Sequence, residues 1–385
     1  MSGLFDELSW RGLVHTVSDA SLPALLDQGG LVAYIGFDPT ADSLHIGNLL
    51  QLCNLRRLQE GGHQVIGLAG GATGMIGDPG GRSDERNLLS SDELAHNLAG
   101  IRAQIERMLL PGAEFADNAD WTRDLTVLDF LRDVGKHFTV NQMIAKESVR
   151  SRLERPEQGI SFTEFTYMLL QAMDFLHLFE TRGCRLQMGA SDQWGNITMG
   201  VELIRKVRGE TAYGLVSPLV LRADGEKMGK SVSGTVWLDA DKTTPFDLEQ
   251  YFLRVEDTIV GTYLRYFTWL SRDEIDELDE ATRTCPEERR AQRALATAIV
   301  ELVHGKSGTE VPETTFAAPI GIVDALFETG LCDSKSDARR QLAQGAVKVD
   351  GEKVSDPDAV LGGDGRSVVV QRGKSRRHRV MFTSG

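Results

Sequence analysis

Two short motifs in this 385-residue chain carry side chains suited to a polyphosphate. The motif HIGN contains His45 and Asn48, whose imidazole and amide groups can donate hydrogen bonds to phosphate oxygens. The motif KMGKS contains Lys227 and Lys230 on a loop with glycines. A lysine pair on a loop is usually solvated surface. Both motifs in one chain, about 180 residues apart, instead favour a shared phosphate site.

A third group of polar residues lies on a predicted helix that is otherwise apolar. Ser161 and Glu164 match a capping box, so a helix should begin here. Tyr167, Gln171 and Asp174 follow at spacings of four and three residues and share one face. The stretch has no Lys or Arg, unlike an ordinary solvated face. We predict that this polar stripe lines an interior pocket, although the pattern alone also allows a helix surface.

Asp174 would then be a buried carboxylate, and a buried charge requires a partner. Its own helix supplies no cation to pair with it. A hydroxyl group on a ligand would satisfy the carboxylate, so the sequence favours a ligand that carries one.

The segments around these motifs predict the elements that position them. The apolar runs LVAYIGF and QVIGLAGG read as strands, followed by a helix near Ile46 that ends at Gly61 and a helix from about Ser91. Strands and helices in alternation are typical of a parallel sheet covered by helices. Ligands bind such sheets at the carboxyl ends of the strands, where helix N termini face anions. His45 and Gly47 are expected in the first turn of such a helix.

Composition limits the class of protein. The chain is 41% hydrophobic and 25% charged, and no apolar run approaches the roughly 18 residues of a membrane span. The amino-terminal segment lacks a cationic start with an apolar core, which favours the cytoplasm. Four widely spaced cysteines argue against a disulfide framework and a zinc knuckle.

Charge is unevenly distributed along the chain, whose net charge is −14. From Leu331 onward there are eleven Lys and Arg against seven Asp and Glu, an excess of four that leaves −18 for the remainder. The cations concentrate in QRGKSRRHR, which could be a solvated end or a nucleic-acid contact. Just before it, Asp350 and Gly351 suit a tight hairpin between two strands.

In this order, HIGN and KMGKS resemble the signature pair of class I aminoacyl-tRNA synthetases, whose usual forms are HIGH and KMSKS. The sequence departs at Asn48, where a second histidine commonly stands, and at Gly229, where serine does. An Asn amide can still donate a hydrogen bond, whereas the glycine removes a hydroxyl and adds freedom. Further segments narrow the resemblance to bacterial-type tyrosyl-tRNA synthetases: YIGFDPTADSLHIGN, GGATGMIGDPGGRSDERNLL, FLRDVGKHFTVNQMIAKESVRSR, SFTEFTYMLLQAMDFLHL and SDQWGNITMG.

This resemblance implies an α/β fold with a Rossmann-like parallel-sheet catalytic domain, then a small all-helical domain and a small α+β RNA-binding domain. With the composition of each segment, it gives these expected boundaries: catalytic domain 1–220 with a dimer-forming insertion at about 115–155, phosphate-binding signature loop 221–242, helical domain 243–305, polar linker 306–318 and RNA-binding domain 319–385.

The resemblance also implies roles for individual residues. For the substrate tyrosine these are Tyr34 and Asp174 at the phenolic hydroxyl, Tyr167, Gln171 and Asp78 at the ammonium group, and Gln193 at the carboxyl group. At the phosphates and the leaving pyrophosphate they are His45, Asn48, Thr40, Arg82, Arg86, Lys227 and Lys230. For the rest of ATP they are Gly36, Asp38, Gly47, Asp192, Met228 and Ser231. Gly47 would let adenine approach the backbone, and Asp192 would accept from the ribose hydroxyls. Arg82 stands where the family often has lysine.

The implied activity is a tyrosine–tRNA ligase that uses ATP with Mg²⁺ as its substrate complex, without a dedicated metal site. Its expected partners are L-tyrosine, ATP, tRNA(Tyr) and a second copy of the chain. The expected tRNA contacts are Lys335, Arg339, Arg340, Arg372, Arg376 and Arg377. The dimer surface would use the helical face with Phe130, Leu131, Val134 and Phe138, which could equally be ordinary core.

Two alternatives compete with this interpretation. A tryptophanyl-tRNA synthetase would share the fold, but the pair Tyr34 and Asp174 and the basic tail are not expected in it. An RNA-binding protein on a retired synthetase scaffold would have no need of His45 or of the lysines of KMGKS.

Overall fold

The computed structural model describes residues 3–78, 90–153, 159–231, 234–305, 312–317, 319–362, 367–373 and 376–382. The chain forms two compact units, Met1–Lys242 with Glu256–Ala291 and Thr243–Val255 with Gln292–Gly385.

The helices and strands of the described residues are numbered in chain order. The helices are α1 Leu4–Trp10, α2 Leu22–Gln28, α3 Ile46–Glu60, α4 Ser91–Met108, α5 Ala119–Thr122, α6 Val127–Asp133, α7 Val140–Ile144, α8 Glu147–Leu153, α9 Phe162–Arg182, α10 Trp194–Arg208, α11 Pro245–Leu253, α12 Asp257–Phe267, α13 Arg272–Thr284, α14 Arg290–His304, α15 Ile322–Glu328 and α16 Lys335–Ala343. The strands are β1 Thr16–Val17, β2 Val32–Phe37, β3 Gln64–Ala69, β4 Glu114–Asp117, β5 Cys184–Ala190, β6 Tyr213–Ser217, β7 Lys230–Ser231, β8 Gly234–Thr235, β9 Glu313–Phe316, β10 Ile320–Gly321, β11 Val347–Val349, β12 Glu352–Val354, β13 Val360–Leu361, β14 Ser367–Arg372 and β15 Arg376–Phe382.

The first unit is built on a six-stranded sheet in the order β1, β6, β5, β2, β3, β4. The strands from β6 to β4 are parallel, and β1 pairs antiparallel with β6 at one edge. The chain runs outward from β2 through β3 to β4, then returns to place β5 on the other side of β2. The strand order therefore reverses between β2 and β5, which is where open parallel sheets bind ligands.

Helix ends in this unit follow local sequence signals. Ser161 caps α9 and forms a reciprocal capping box with Glu164, as predicted, and Ser90 does the same for α4 with Glu93. The helix predicted near Ile46 is confirmed as α3, and it ends at Gly61. His45 lies at the N-cap of α3, because its backbone is extended and its side chain accepts from the first turn. The expectation that His45 lies inside the first turn is therefore wrong by one position.

Two buried arginines attach α12 to the first unit. Arg11 donates hydrogen bonds to the carbonyl oxygens of Arg265, Thr268 and Leu270, and Arg57 donates to that of Thr268. Cations stabilise the carbonyl end of a helix, where the peptide dipoles concentrate negative charge. The segment 243–305, expected from composition to be one helical domain, is thus divided, with α12 and α13 in the first unit and α11 in the second.

The second unit contains a five-stranded sheet in the order β12, β11, β14, β15, β9, with a β10–β13 pair beside it. Helices α15 and α16 pack on an apolar core that includes Leu326, Leu342 and Val370. The hairpin predicted at Asp350 and Gly351 joins β11 and β12, and both residues have positive φ angles. Among the described residues, none of the helices has the length and apolar character that crossing a bilayer requires.

Candidate active site

A cavity of about 370 Å³ lies at the reversal point of the sheet, beside the carboxyl ends of β2 and β5. Residues of the α3 and α9 helices and of the KMGKS loop complete its wall. All six residues predicted to bind tyrosine line it, namely Tyr34, Asp78, Tyr167, Gln171, Asp174 and Gln193. The predicted polar stripe of α9 therefore does face an interior pocket.

Asp174 lies at the closed end of the cavity and is 2% exposed. Its carboxylate accepts hydrogen bonds from Asn118 Nδ2 at 2.9 Å and from Trp121 Nε1 at 2.8 Å. Burial raises the pKa of Asp174 from 3.8 to about 7, and the two hydrogen bonds oppose this rise because they favour the ionised form. Two neutral donors from the segment after β4 therefore already contact this carboxylate, in addition to the ligand hydroxyl that the sequence favours.

Tyr34 stands on β2 near Asp174, and its side chain is fully buried. Its hydroxyl group makes no hydrogen bond to any described residue. Burial, followed by the negative charge of Asp174, raises the pKa of this phenol well above its usual value, so the hydroxyl stays protonated. A neutral donor without a partner beside a buried acceptor is an arrangement that a ligand hydroxyl can complete.

Polar residues continue from this end towards the strand ends. Tyr167 Oη lies 3.4 Å from both carboxylate oxygens of Asp38. Gln193 Nε2 donates to Asp78 Oδ2 at 2.5 Å, and Gln171 Nε2 lies 3.3 Å from Gln193 Oε1. These contacts join the α9 stripe to Asp78, expected at the substrate ammonium group, to Asp38, expected at ATP, and to Gln193, expected at the substrate carboxyl group.

The HIGN motif closes the N terminus of α3 by reciprocal hydrogen bonds. His45 Nδ1 accepts from the Gly47 N–H at 3.0 Å, and Asn48 Oδ1 accepts from the His45 N–H at 3.2 Å. The oxygen of the Asn48 amide thus caps the helix. Its NH₂ group can then donate to an acceptor in the cavity, whose wall includes Asn48. This accounts in physical terms for an asparagine at this position.

Gly47 brings the two signature motifs together. A Cβ atom here would lie 2.7 Å from His45 Cε1, so that the imidazole would have to shift, and it would make a tight contact of 3.0 Å with the Met228 carbonyl oxygen. A backbone hydrogen bond also joins the start of α3 to the segment that follows the KMGKS loop, since Ile46 N–H donates to the Val236 carbonyl oxygen at 3.0 Å. Packing between these protein segments therefore favours glycine, independently of any approach by a nucleotide.

The KMGKS loop places Lys227 against the expected ribose site. Lys227 Nζ lies 2.9 Å from Asp192 Oδ2, and both residues line the cavity. Gly229 has a φ angle of 140°, a conformation that residues with a side chain rarely adopt. The glycine found here, where serine is common, therefore suits the backbone conformation of the loop.

The remaining predicted nucleotide residues fall into three groups. Gly36, Asp38, Gly47, Met228 and Asn48 line the cavity. Thr40 is exposed and is not part of the cavity wall. Arg82 and Arg86 lie outside the described residues, as do the side chains of Lys230 and Ser231, whose backbones form β7.

Comparison with known proteins assigns the family. Residues 27–317 match the model of the tRNA synthetases class I (W and Y), and residues 302–380 match that of the tyrosine–tRNA ligase SYY-like C-terminal domain. The tyrosine–tRNA ligase of Roseiflexus castenholzii is 45% identical, with 99% of each chain covered. That of Bacillus caldotenax is 46% identical, covering 98% of this chain and 99% of its own. The chain belongs to the tyrosine–tRNA ligase family. It is an enzyme of the class I synthetases.

Solved structures agree with this assignment. The truncated mitochondrial tyrosyl-tRNA synthetase of Aspergillus nidulans has a TM-score of 0.70 at 32% identity, over 80% of this chain and 91% of its own. A tryptophanyl-tRNA synthetase of Plasmodium falciparum has a TM-score of 0.58 at 15% identity, over 78% of this chain and 84% of its own, which is a likeness of fold alone. The α/β fold class predicted from the sequence is confirmed.

The ligase has further polar residues in its cavity that sequence reasoning missed. Asn118 donates to both Asp174 and Thr73, and it accepts from the Ala72 N–H at 2.7 Å. Gln51 and Gln187 line the cavity, and each has a buried side-chain oxygen without a hydrogen-bond partner among the described residues. Asn118 follows directly after β4, so its place at the carboxyl end of a strand was the available signal.

The predicted tRNA contacts of the ligase lie in its second unit, and their side chains differ in exposure. Lys335 pairs with Asp324, Arg340 with Asp337, and Arg372 with the same Asp337. Arg377 stacks on the Phe246 ring of α11, with its guanidinium carbon 5.8 Å from the ring centroid. Arg339 and Arg376 are exposed and form no ion pair within the described residues. Among the described residues, no cluster of three or more His, Cys, Asp or Glu side chains could hold a metal ion.

Proposed function

We propose that this enzyme activates L-tyrosine with ATP and Mg²⁺ at the described cavity and then transfers the tyrosyl group to tRNA(Tyr). The observation that carries the proposal is the pair at the closed end of the cavity. Tyr34 offers a buried hydroxyl without a described partner, beside the buried carboxylate of Asp174. A phenolic hydroxyl can accept from the first and donate to the second, which a phenylalanine side chain cannot do.

Activation requires little acid–base chemistry from the protein. The carboxylate of the substrate attacks the α-phosphorus of ATP, the bond from that phosphorus to the bridging oxygen breaks, and pyrophosphate leaves. The substrate carboxylate is already ionised at neutral pH, so no side chain needs to remove a proton from it. The rate then depends on positioning and on stabilisation of the charge that gathers on the phosphates.

The residues between the two ends of the cavity position the amino acid. Asp78 and Tyr167 bind the ammonium group together with Gln171, and Gln193 faces the carboxyl group. The contacts of these side chains with one another support this assignment, because mutual hydrogen bonds hold them in place before a ligand arrives.

The signature motifs serve the nucleotide. His45 and Asn48 contact the phosphates and ribose from the N terminus of α3, where the helix dipole favours anions. Lys227, Lys230, Arg82 and Arg86 neutralise the pyrophosphate as it departs. Because Lys227 pairs with Asp192, that lysine must exchange partners when the phosphates and ribose bind.

We also propose that two copies of the chain associate through the segment that follows α5. Val127, Leu128 and Val140 in this segment expose between 59% and 77% of their surface, and Phe162 at the start of α9 exposes 75%. Exposed apolar side chains grouped in this way mark protein interfaces. Val134 and Phe138, in contrast, are buried in a core cluster and belong to the fold of one subunit. The expected cytoplasmic location stays a prediction.

The tail supplies the contact with tRNA in this proposal. Its exposed cations Arg339 and Arg376 are suited to phosphate, and the surrounding charge of the chain is negative, which limits attraction to other RNAs. The sequence-based boundaries 221–242, 306–318 and 319–385 stay a proposal about how these functions are distributed.

An ATP–pyrophosphate exchange assay with each amino acid tests the assignment. Tyrosine should stimulate exchange, and phenylalanine and tryptophan should not, because neither places a hydroxyl between Tyr34 and Asp174. The Tyr34→Phe variant serves as a matched control, since it removes only the hydroxyl and should narrow the difference between tyrosine and phenylalanine. Equal stimulation by tryptophan and tyrosine would exclude the proposed substrate.

A further inference from the structure

One carboxylate of the second unit contacts two of the cations expected to bind RNA. Asp337 lies in the first turn of α16 and is 8% exposed. Its Oδ1 accepts from Arg340 of the same helix and from Gln341 Nε2 at 3.2 Å. Its Oδ2 lies 3.2 Å from Arg372 Nη2 on β14. A single acidic group therefore joins cations from a helix and from a strand.

The two arginines differ in what they leave available to a ligand. The Arg372 side chain is 20% exposed and also donates to the Leu331 carbonyl oxygen at 2.6 Å. The N–H groups of Arg372 are therefore largely engaged in contacts within the unit. The Arg340 side chain is 65% exposed and lies next to Arg339, which is exposed as well. Asp337 thus contacts Arg340, which together with Arg339 forms an exposed cationic surface.

A second acidic group in this unit provides a contrast. Asp324 pairs with Lys335 at 2.9 Å, but the two side chains are 49% and 53% exposed. Exposed ion pairs of this kind contribute little to structure, because water and salt screen them. Asp324 therefore only offsets the charge of a cation, whereas Asp337 also fixes where its cations lie.

We propose that Asp337 is a positioning residue for tRNA binding, which holds Arg340 and the helix start in the place where they meet RNA. This inference rests on the proposed function of the tail. It predicts a change in RNA affinity on removal of this carboxylate that is opposite in sign to the change expected from charge alone. A carboxylate beside a phosphate-binding surface repels RNA, so its removal should strengthen binding if charge alone matters. If position matters, its removal should weaken binding, because Arg340 regains its rotamer freedom and Arg372 of β14 loses its partner on α16.

The test uses the full chain and an unmodified tRNA(Tyr) transcript. Asp337→Asn should weaken binding of the transcript about fivefold, as expected for a misplaced charge contact. Asp337→Glu keeps the charge and should recover most of the affinity. Asp324→Asn is the matched control, with the same chemical change at an exposed pair, and it should bind the transcript at least as tightly as the unchanged protein. Tyrosine-dependent pyrophosphate exchange should be the same in all of these proteins.

Binding by Asp337→Asn that equals or exceeds that of the unchanged protein would overturn the proposal. Arg372→Gln tests it from the other side of the pair, which matters if Asp337→Asn loses the fold of the tail. It should lower affinity without changing the salt dependence of binding, because a positioning residue makes no phosphate contact; a slope shallower by about 0.9 would identify Arg372 as a phosphate contact and overturn the inference.

Arg339→Ala separates this inference from the function on which it rests. If Arg339→Ala leaves transcript binding unchanged, the tail does not bind RNA through this surface and both ideas fail. If Arg339→Ala weakens binding while Asp337→Asn does not, the tail binds RNA and only the positioning role fails.

Discussion

The cavity and the cationic surface of the tail hold charged groups in opposite ways. In the cavity, the carboxylate of Asp174 is buried, and the donors that contact it among the described residues are neutral. On the tail, Lys335 and Arg340 are exposed and lie beside carboxylates. A buried polar group that loses its partner costs the full desolvation energy, whereas an exposed ion pair is weak. Under the proposed function, recognition of one hydroxyl group thus depends on a few buried groups that lose much free energy when unpaired. Recognition of a polyanion depends on many exposed charges that each contribute little.

The largest expected effect follows from the burial of Asp174 and concerns stability. Its pKa is raised from 3.8 to about 7, so the folded state binds the proton more tightly than the unfolded state. The contribution of Asp174 to the free energy of unfolding therefore falls as pH rises from about 4 to 7. Above pH 7 the destabilisation caused by the buried, ionised carboxylate is complete. Asp174→Asn removes this titration. Between pH 4.5 and pH 8 the stability of the variant should rise relative to the unchanged protein by about 3 kcal/mol.

Urea unfolding followed by tryptophan fluorescence at several pH values measures this difference. The comparison depends on the pH trend and not on the absolute stabilities, because an Asn side chain also presents an NH₂ group to the donors Asn118 and Trp121. A constant difference across this pH range would mean that Asp174 titrates normally and that the cavity is not a dry site.

The next largest effect is catalytic. Asp174→Ala should lower tyrosine activation at least ~100-fold, because the phenolic hydroxyl of the substrate loses its acceptor while Tyr34 and the donors around Asp174 remain buried. Single-turnover formation of the adenylate provides the rate. Asp120→Ala, at an exposed position in the same segment as Trp121, is the control and should react normally. A loss of less than tenfold would place the hydroxyl of tyrosine elsewhere.

A smaller effect is expected on the tail. The double variant Arg339→Ala and Arg376→Ala should charge tRNA about tenfold more slowly at limiting tRNA, and its salt slope should fall by about 1.8 if both residues contact phosphate in duplex regions. Adenylate formation should be unchanged. Arg107→Ala, an exposed cation on α4, controls for loss of positive charge. An unchanged charging rate and slope would show that these cations belong to a solvated surface.

Local sequence signals predicted several parts of this fold correctly. Ser161 and Glu164 gave the start of α9, and the spacing of Tyr167 and Asp174 gave the face that lines the cavity. These predictions succeeded because capping and helical periodicity act over one or two turns. The hairpin at Asp350 succeeded for the same reason.

Contacts between distant segments could not be read from the sequence. Asn118 reaches Asp174 across 56 residues, and this depends on β4 pairing with β3 at the edge of the sheet. The place of α12 in the first unit depends in the same way on Arg11 and Arg57, which cap its end from far along the chain. Arginine, Asn and Trp side chains carry no periodic signal, so only the folded structure shows what they bind.

The smallest predicted effect tests the open end of the cavity, at the departure from the usual signature. Gly229→Ser restores the common residue, yet it should slow adenylate formation roughly fivefold, since a side chain at a φ of 140° costs about 1 kcal/mol or more. Space is not the obstacle, because a Cβ atom at this position would lie 3.6 Å from His45 Nδ1, an ordinary contact.

Gly229→Ala is the matched control, because it has the same backbone cost without the hydroxyl. If backbone strain decides the outcome, the serine and alanine variants should slow adenylate formation equally, with tyrosine affinity unchanged in both. Serine faster than alanine would assign a separate role to the hydroxyl. Serine faster than the native glycine would show that the loop relaxes freely, and the structural reason given for the glycine would then be wrong. Because this loop is exposed at Lys227, even the expected loss is smaller than that at Asp174, in keeping with the contrast between sheltered and open groups.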